Sequence, residues 1–552
     1  MFSKTSGMFF VAGLSILTAF PTLLYAGATS IPESILPGRP KALVIMLDGV
    51  RADVLDDAAM PNLAGLRSGI WQSGYRGAYS DCAQPIQDAQ PNSAPNHVAI
   101  ATGVSATKNL VWNNGETGKG DYEAYPHVLS YLEALNPDLS TVYLYVWGES
   151  GQIRSKGDVQ YINVADEDIA AAAAEQIRSG ADALYVYIDA PDHGGHGENF
   201  YPHSPFYLRQ VANCDRWIGT MLEAISSRPE FEEENWLILV TADHGGYHRN
   251  HGMRGGHATT IPIIMAGKSI QEGKIAGVPG NVDVPVTMLD HFGINVEDYQ
   301  FDGKVLGLET VPAGDQSLSA ELAVYLPFDD AEVIDRGSNT VMTVSGDVSS
   351  GDALGIFGNS AMFTGNSAFI TLNGTEKLAL RNGKEFTAAM WVKTTAEQSG
   401  DAPVLSNKDW RDGTTPGFVI SSNTVVDGTG PGYAFNVKRN DDRKRTDLGA
   451  FDTVQGEWTF LAVSVDANGA VYFAEGRPDG RFYFLADDAA SMVVANGVPW
   501  RIGQDGTGKY PCSFNGQIDD FAVWTRGLSI EELRRIYEAG RKGVSLGDML
   551  EQ

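Results

Sequence analysis

Cysteine is scarce in this chain: Cys82, Cys214 and Cys512 are the only three in 552 residues. Three thiols build no disulfide framework, and none has the CxxC spacing of a thiolate metal site. A single Cys82–Cys214 bridge is left open. Basic charge is also short, with 40 Lys and Arg against 69 Asp and Glu and a formal net charge of −29. Duplex nucleic acid needs clustered cations, so nucleic-acid binding is excluded and an anionic membrane surface is disfavoured. A small anionic substrate is not excluded, because a local metal site overturns the global field. Long apolar runs are missing beyond residue 28, so no membrane span is expected there. The one such run, Met8 to Tyr25, follows Lys4 and leads into Ala26-Gly27-Ala28. A charged start, an apolar centre and a small-x-small site predict a secretory signal peptide over residues 1–28, hence a periplasmic or secreted protein.

What is present is an ordinary globular composition, 43% apolar and 20% charged, over a length that calls for two or more domains. From Pro40 onward, short apolar runs alternate with helical stretches. Lys41 to Leu47 reads as a buried strand and ends in Asp48-Gly49-Val50-Arg51. Ala183 to Ile188 is another, running into Asp189-Ala-Pro-Asp192-His193-Gly-Gly-His196. A third, Trp236 to Thr241, ends in Asp243-His244-Gly245-Gly246, and His257 returns thirteen residues after His244. Alternating strands and helices predict a mostly parallel sheet with helices on both faces, whose sites lie beyond the carboxyl ends of the strands. Alone, the last stretch also reads as a glycine-rich surface loop that happens to hold histidines. Three strand ends carrying Asp and His form a constellation instead. Hard carboxylates mixed with imidazoles suit zinc, with manganese or another divalent ion as the alternative.

In this order, these motifs resemble the alkaline phosphatase superfamily, and within it the type I phosphodiesterase/nucleotide pyrophosphatase branch, over roughly Lys41 to Asp302. Ser93-Ala94-Pro95-Asn96-His97 looks like the branch's nucleophile motif, Asp192 to His196 like its Pro-Asp-x-x-Gly-His pair, and Asp243-His244-Gly245 like its second pair. The resemblance implies an α/β alkaline-phosphatase-like domain holding two Zn2+. Asp192, His196 and His257 would hold one ion, and Asp48, Asp243 and His244 the other, beside the Ser93 nucleophile. Asn114 would contact a phosphoryl oxygen, with Asn113 the competing choice. The chemistry implied is attack by a metal-activated serine on phosphorus, giving a covalent phosphoseryl-type intermediate.

Several positions depart from the pattern or carry a second reading. The branch more often has Thr at the position of Ser93. Its last histidine is usually followed by glycine, whereas His257 precedes Ala258. Asp189 competes with Asp192 as a ligand. His97 reads as a hydrogen-bonded core histidine, His193 as a neighbour of the ligands, His248 and His251 as loop histidines at the mouth, and Arg51 as a structural cation. Phosphodiesters or nucleotide pyrophosphates are the expected substrates, with phosphomonoesters or sulfate esters as the alternative. A different class of reading is a catalytically inactive glycan-binding surface protein.

Beyond Gly307 the helical rhythm gives way to short alternating runs such as Phe386 to Lys393, Trp458 to Val465 and Phe482 to Leu485. That pattern predicts an all-β sandwich. Its ending, Phe514 to Trp524 followed by Leu528 to Tyr537, resembles the laminin-G-like/concanavalin A-like jelly roll. The resemblance implies carbohydrate as a partner and a structural Ca2+ with Asp329 and Asp519 as contributors. The expected division is 38–310 for the hydrolase domain, 311–320 for a linker and 321–545 for the jelly roll. Removing the chain from about Asp315 onward is expected to spare small-substrate hydrolysis.

Overall fold

The computed structural model describes residues 38–551 except 56–59, 69, 72–74, 254, 309–316, 339, 374–384, 396–397, 399, 412–414, 427–430, 439–445, 453–454, 468 and 489–496. The signal-peptide stretch 1–28 and most of the expected linker therefore lie outside the described residues.

Among the described residues, the first half forms one nine-stranded sheet. From the middle to one edge it runs Glu234–Ala242, Arg39–Leu47, Ala183–Ile188, Thr141–Tyr145 and Gln160–Asn163, all parallel. Ile261–Gly267 and Tyr75–Ala83 extend one side antiparallel, so the sheet is mixed but mostly parallel. The strands Glu234–Ala242, Arg39–Leu47, Ala183–Ile188 and Thr141–Tyr145 are apolar runs of the sequence; largely buried on both faces, they have little polar alternation to show, whereas Gln160–Asn163 at the edge is partly exposed. The helix Pro205–Ser226 packs with Asp166–Arg178, Ala190–Gly197 and Pro61–Ser68, whereas Asp283–His291 packs with the central strands and with Ser93–Thr102. Among the described residues, no helix is long and apolar enough to cross a membrane.

The second half is a thirteen-stranded antiparallel system from Leu322–Leu326 to Gly516–Trp524, folded as a sandwich consistent with a jelly roll. Its inner core holds Phe363, Phe386, Phe418, Phe435, Trp500 and Phe514. The helix Ile530–Arg541 closes the outer face, where Tyr537 meets Trp391, Phe460 and Phe482. A capping box closes its start: the Ser529 hydroxyl accepts from the Glu532 N–H, and the Glu532 carboxylate accepts from the Ser529 N–H.

The two halves share buried surface. Ala52 and Cys82 join Trp391, Phe460, Tyr472, Phe484 and Trp524 in one apolar cluster. At its edge, Glu531 accepts from Tyr79 Oη (2.5 Å) and Lys274 Nζ (3.0 Å). Cys82 and Cys214 are both buried and both free.

Asp519 and Asp329 lie in the sandwich. Asp519 Oδ2 accepts the Ile356 and Phe357 N–H groups at 2.9 and 3.0 Å, and Oδ1 is buried without a hydrogen-bond partner among the described residues. Burial pushes its carboxyl up to about 8. The native state thus binds a proton that the unfolded chain has lost, so this group's contribution to stability falls as pH rises from 3.8 toward about 8. Asp519→Asn removes that titration. Without added Ca2+, the variant is expected to be more stable than the wild type at pH 8 by on the order of a few kcal/mol. Equal urea midpoints at pH 5 and pH 8 for both proteins would contradict this.

Candidate metal centre

Leu47 pairs with Ile188 on one side and Ala242 on the other. The three strands therefore end level, and Asp48, Asp189 and Asp243 leave the sheet side by side. The helix Ala190–Gly197 starts at once and places Asp192 and His196 one turn apart, with His196 Nε2 3.4 Å from Asp192 Oδ2. His244 Nε2 lies 3.4 Å from Asp48 Oδ1, 3.3 Å from Asp243 Oδ2 and 3.2 Å from Ser93 Oγ. Ser93 is the first residue of the helix Ser93–Thr102. The Ala94 N–H donates to Asn114 Oδ1 at 2.9 Å, which sets Asn114 beside the serine; both asparagines are exposed, and Asn113 uses its own N–H on Glu116.

The backbone assigns the histidine tautomers. Nδ1 of His244 faces Gly245 O (2.8 Å), Nδ1 of His196 faces Arg249 O (2.6 Å) and Nδ1 of His251 faces Pro91 O (3.1 Å). A carbonyl only accepts, so each Nδ1 carries the proton and each neutral ring presents an Nε2 lone pair. Burial, followed by the neighbouring His244, pulls His251 down to about 3, so this ring is neutral at pH 7.

These lone pairs point at carboxylate oxygens. Acceptors face acceptors, and Asp48 Oδ1 and Asp192 Oδ1 are buried with no hydrogen-bond donor among the described residues. Burial first, and then neighbouring carboxylates led by Asp243, push Asp48 well above the usual range and Asp192 up to about 8. Burial also opposes ionisation of Asp243, but His244, His97 and the Gly49 N–H outweigh it and hold this carboxyl low. A divalent cation between such acceptors removes the conflict, so the donor set fits metal.

Two groups of three stand next to each other: Asp192, His196 and His251, and then Asp48, Asp192 and His244. His97 joins a third with Asp48 and Asp243, its Nε2 at 3.3 and 3.1 Å from their Oδ2 atoms and its Nδ1 2.6 Å from Ser150 Oγ. That is a buried, hydrogen-bonded histidine placed against the carboxylates of Asp48 and Asp243. Asp189 belongs elsewhere, with Asp166 and His193, and its Oδ1 accepts from Tyr187 Oη.

The structure does not bring His257 into either group. Its Nδ1 lies 3.2 Å from Arg51 Nη1, and burial followed by that guanidinium holds its basicity far down. Arg51 is itself buried and bound to Asp53, with Nη1 also donating to Gly246 O. His251 stands with Asp192 and His196 instead, its ring stacked on His244 at 3.8 Å. The sequence did hold a signal for this: His251 is the histidine followed by glycine. Gly252 has φ +88°, and a Cβ there would lie 2.5 Å from Asn92 Oδ1, so only glycine lets the loop settle on Pro91 and Asn92.

Residues 80–296 match the profile of the Metalloenzyme superfamily. Residues 364–534 match that of the concanavalin A-like lectin/glucanases superfamily. The chain joins an alkaline-phosphatase-like metalloenzyme domain to a concanavalin A-like domain. Among solved structures, it is similar to a putative sulfatase from Bacteroides thetaiotaomicron, at 15% identity over 52% of this chain and 77% of that one, with a TM-score of 0.39. It is similar to a murine ectonucleotide pyrophosphatase/phosphodiesterase in complex with AMP, at 13% identity over 49% and 98%, with a TM-score of 0.35. A putative sulfatase from Bacteroides fragilis gives 16% identity over 48% and 76%, with a TM-score of 0.36. Within the metalloenzyme domain, the two adjoining Asp/His groups are the candidate seat of divalent metal.

Proposed function

We propose that this metalloenzyme-superfamily domain is a two-metal hydrolase of phosphate esters, with diesters or nucleotide pyrophosphates as its substrates and Ser93 as its nucleophile. The observation that carries the reading is the placement of Ser93 Oγ 3.2 Å from Nε2 of His244, a member of one of the two adjoining Asp/His groups. Asp192, His196 and His251 would hold one Zn2+, and Asp48, Asp243 and His244 the other together with Ser93; Mn2+ suits the same donors less well. Bound ions supply Lewis-acid stabilisation of the serine alkoxide and of the ester's charged oxygens.

The chain's own groups do the rest. The N-terminus of the helix Ser93–Thr102 favours negative charge at the serine. The Asn114 amide oxygen is engaged by Ala94 N–H, so its NH2 is the end left to donate to a phosphoryl oxygen. Glu149 Oε1 accepts from Gly115 N–H at 2.6 Å and from the Thr117 hydroxyl at 2.9 Å, which fixes the loop carrying Asn114. Ser93 Oγ gives up its proton to solvent and bonds to phosphorus as one ester oxygen leaves and is protonated by water; a diester thus leaves a seryl phosphodiester on Ser93, and water then breaks its P–Oγ bond, returning a proton to Oγ and releasing the monoester. For the jelly roll we propose carbohydrate as ligand, and Ca2+ at Asp329 and Asp519; among the described residues, no group of three His, Cys, Asp or Glu side chains includes either aspartate. Secretion to the periplasm or beyond is part of the same proposal.

The test is parallel hydrolysis of p-nitrophenyl phosphate, bis-p-nitrophenyl phosphate and p-nitrophenyl sulfate by zinc-loaded protein. The diester is expected to turn over fastest. Preference for the monoester would make it a phosphatase, and preference for the sulfate a sulfatase. Turnover of none, with glycan binding retained, would favour an inactive surface protein.

A further inference from the structure

Among the described residues of the loop from Gly245 to Thr260, which carries His251, there is little regular structure: an isolated bridge between Tyr247 and Asn250 and the single turn Gly256–Thr259. Such a segment holds one shape only when its surroundings impose it. Part of that hold comes from the metalloenzyme domain, through His248 O to Phe200 N (2.7 Å) and Arg249 to Gly197 O and Glu198 O.

The rest comes from the jelly roll, through the strand Phe482–Asp488. Thr260 Oγ1 accepts the Ala486 N–H at 3.0 Å and donates to Ala486 O at 3.4 Å. At Gly256, a Cβ would lie 3.1 Å from Leu485 Cβ and 3.2 Å from Leu448 Cδ2, so the turn sits directly on the sandwich. The same strand reaches the other ligand-bearing segments. Tyr483 Oη is 2.7 Å from His203 Nδ1, in the stretch that follows His196, and the His203 ring packs on Tyr201, whose hydroxyl meets His248 Nδ1 at 3.0 Å. Gln84 Nε2, on the approach to Ser93, donates to Ala486 O at 3.1 Å.

We propose that the jelly roll is a positioning element of the metal centre: its strand Phe482–Asp488 holds the Gly245–Thr260 loop in the shape that brings His251 to Asp192 and His196. This rests on the two-metal reading above for its metal, though not for its loop. It also reverses the expectation that the sandwich is removable without loss. The shared cluster containing Ala52 and Cys82 means that truncation uncovers the metalloenzyme domain's own buried surface.

The test uses the full chain with Thr260→Val and Tyr483→Phe together, which removes the polar links and keeps the packing volume. In metal-free protein, amides 247–253 are expected to exchange about tenfold faster than in the wild type, with exchange in the central strands unchanged. Zinc affinity at the weaker of two sites is expected to fall by about 10-fold, because outer contacts of metal ligands have effects of that size. Unchanged exchange together with an unchanged zinc isotherm would overturn the proposal. If the double variant loses its cooperative melt, Tyr483→Phe alone carries the same comparison. A wild-type chain that binds no zinc would instead sink the two-metal reading, and the exchange result would still decide the positioning role.

Discussion

His251→Ala is expected to lower the metal content from two ions per chain to one and to cut turnover by more than about 100-fold, since changes behind a ligand alone cost about 10–100-fold. His257→Ala is expected to keep both ions. The contrast follows from where the two rings point. His251 donates through Nδ1 to Pro91 O and turns Nε2 toward Asp192 Oδ1 at 3.8 Å, a separation that a bridging cation fits. His257 spends its Nδ1 on Arg51, 3.2 Å away, and lies in the turn that the jelly roll covers. Metal analysis by mass spectrometry on dialysed protein separates the two. Loss of an ion from His257→Ala, with none lost from His251→Ala, would return the third ligand to His257 and would require the loop to rearrange on metal binding.

The second large effect is expected at Ser93. Ser93→Ala should lower turnover by about 10⁴-fold or more, the scale seen when a covalent nucleophile is removed, while both ions stay bound. The hydroxyl is one donor among many at the site. The carboxylates and imidazoles of Asp48, Asp243 and His244 remain in place, and the helix Ser93–Thr102 still packs on Asp283–His291. A stable phosphorylated form of the wild type, trapped by acid quench and absent from the variant, would locate the covalent step on this residue. If the variant loses metal and stability together, Ser93 is structural. If it retains most of its activity, a water attacks directly.

Much of the site was legible in sequence because strand ends are local features. A fully buried parallel strand is a short apolar run, and the residue after it emerges at the sheet's carboxyl edge. Asp48, Asp189 and Asp243 could be placed that way, and so could Asp192 and His196, whose spacing of four puts them on one face of any helix. The segment from Ser93 showed only as a motif along the chain; in the structure it opens one continuous helix whose first residue is the serine.

The sequence alone determined the two-part architecture, the mostly parallel sheet, the antiparallel sandwich and the carboxylate-rich strand ends, because periodicity and composition carry each of them. Only the tertiary structure shows that His251, and not His257, stands beside Asp192 and His196. His251 and His257 lie six residues apart in a glycine-rich loop with no period, and the choice rests on partners distant in the chain: Pro91 and Asn92 on one side, Arg51 and the strand Phe482–Asp488 on the other. The closeness of the two halves was hidden for the same reason. An interface of single residues such as Ala52, Cys82, Gln84 and Thr260 leaves no pattern along a chain, and it exists only once both sheets have formed.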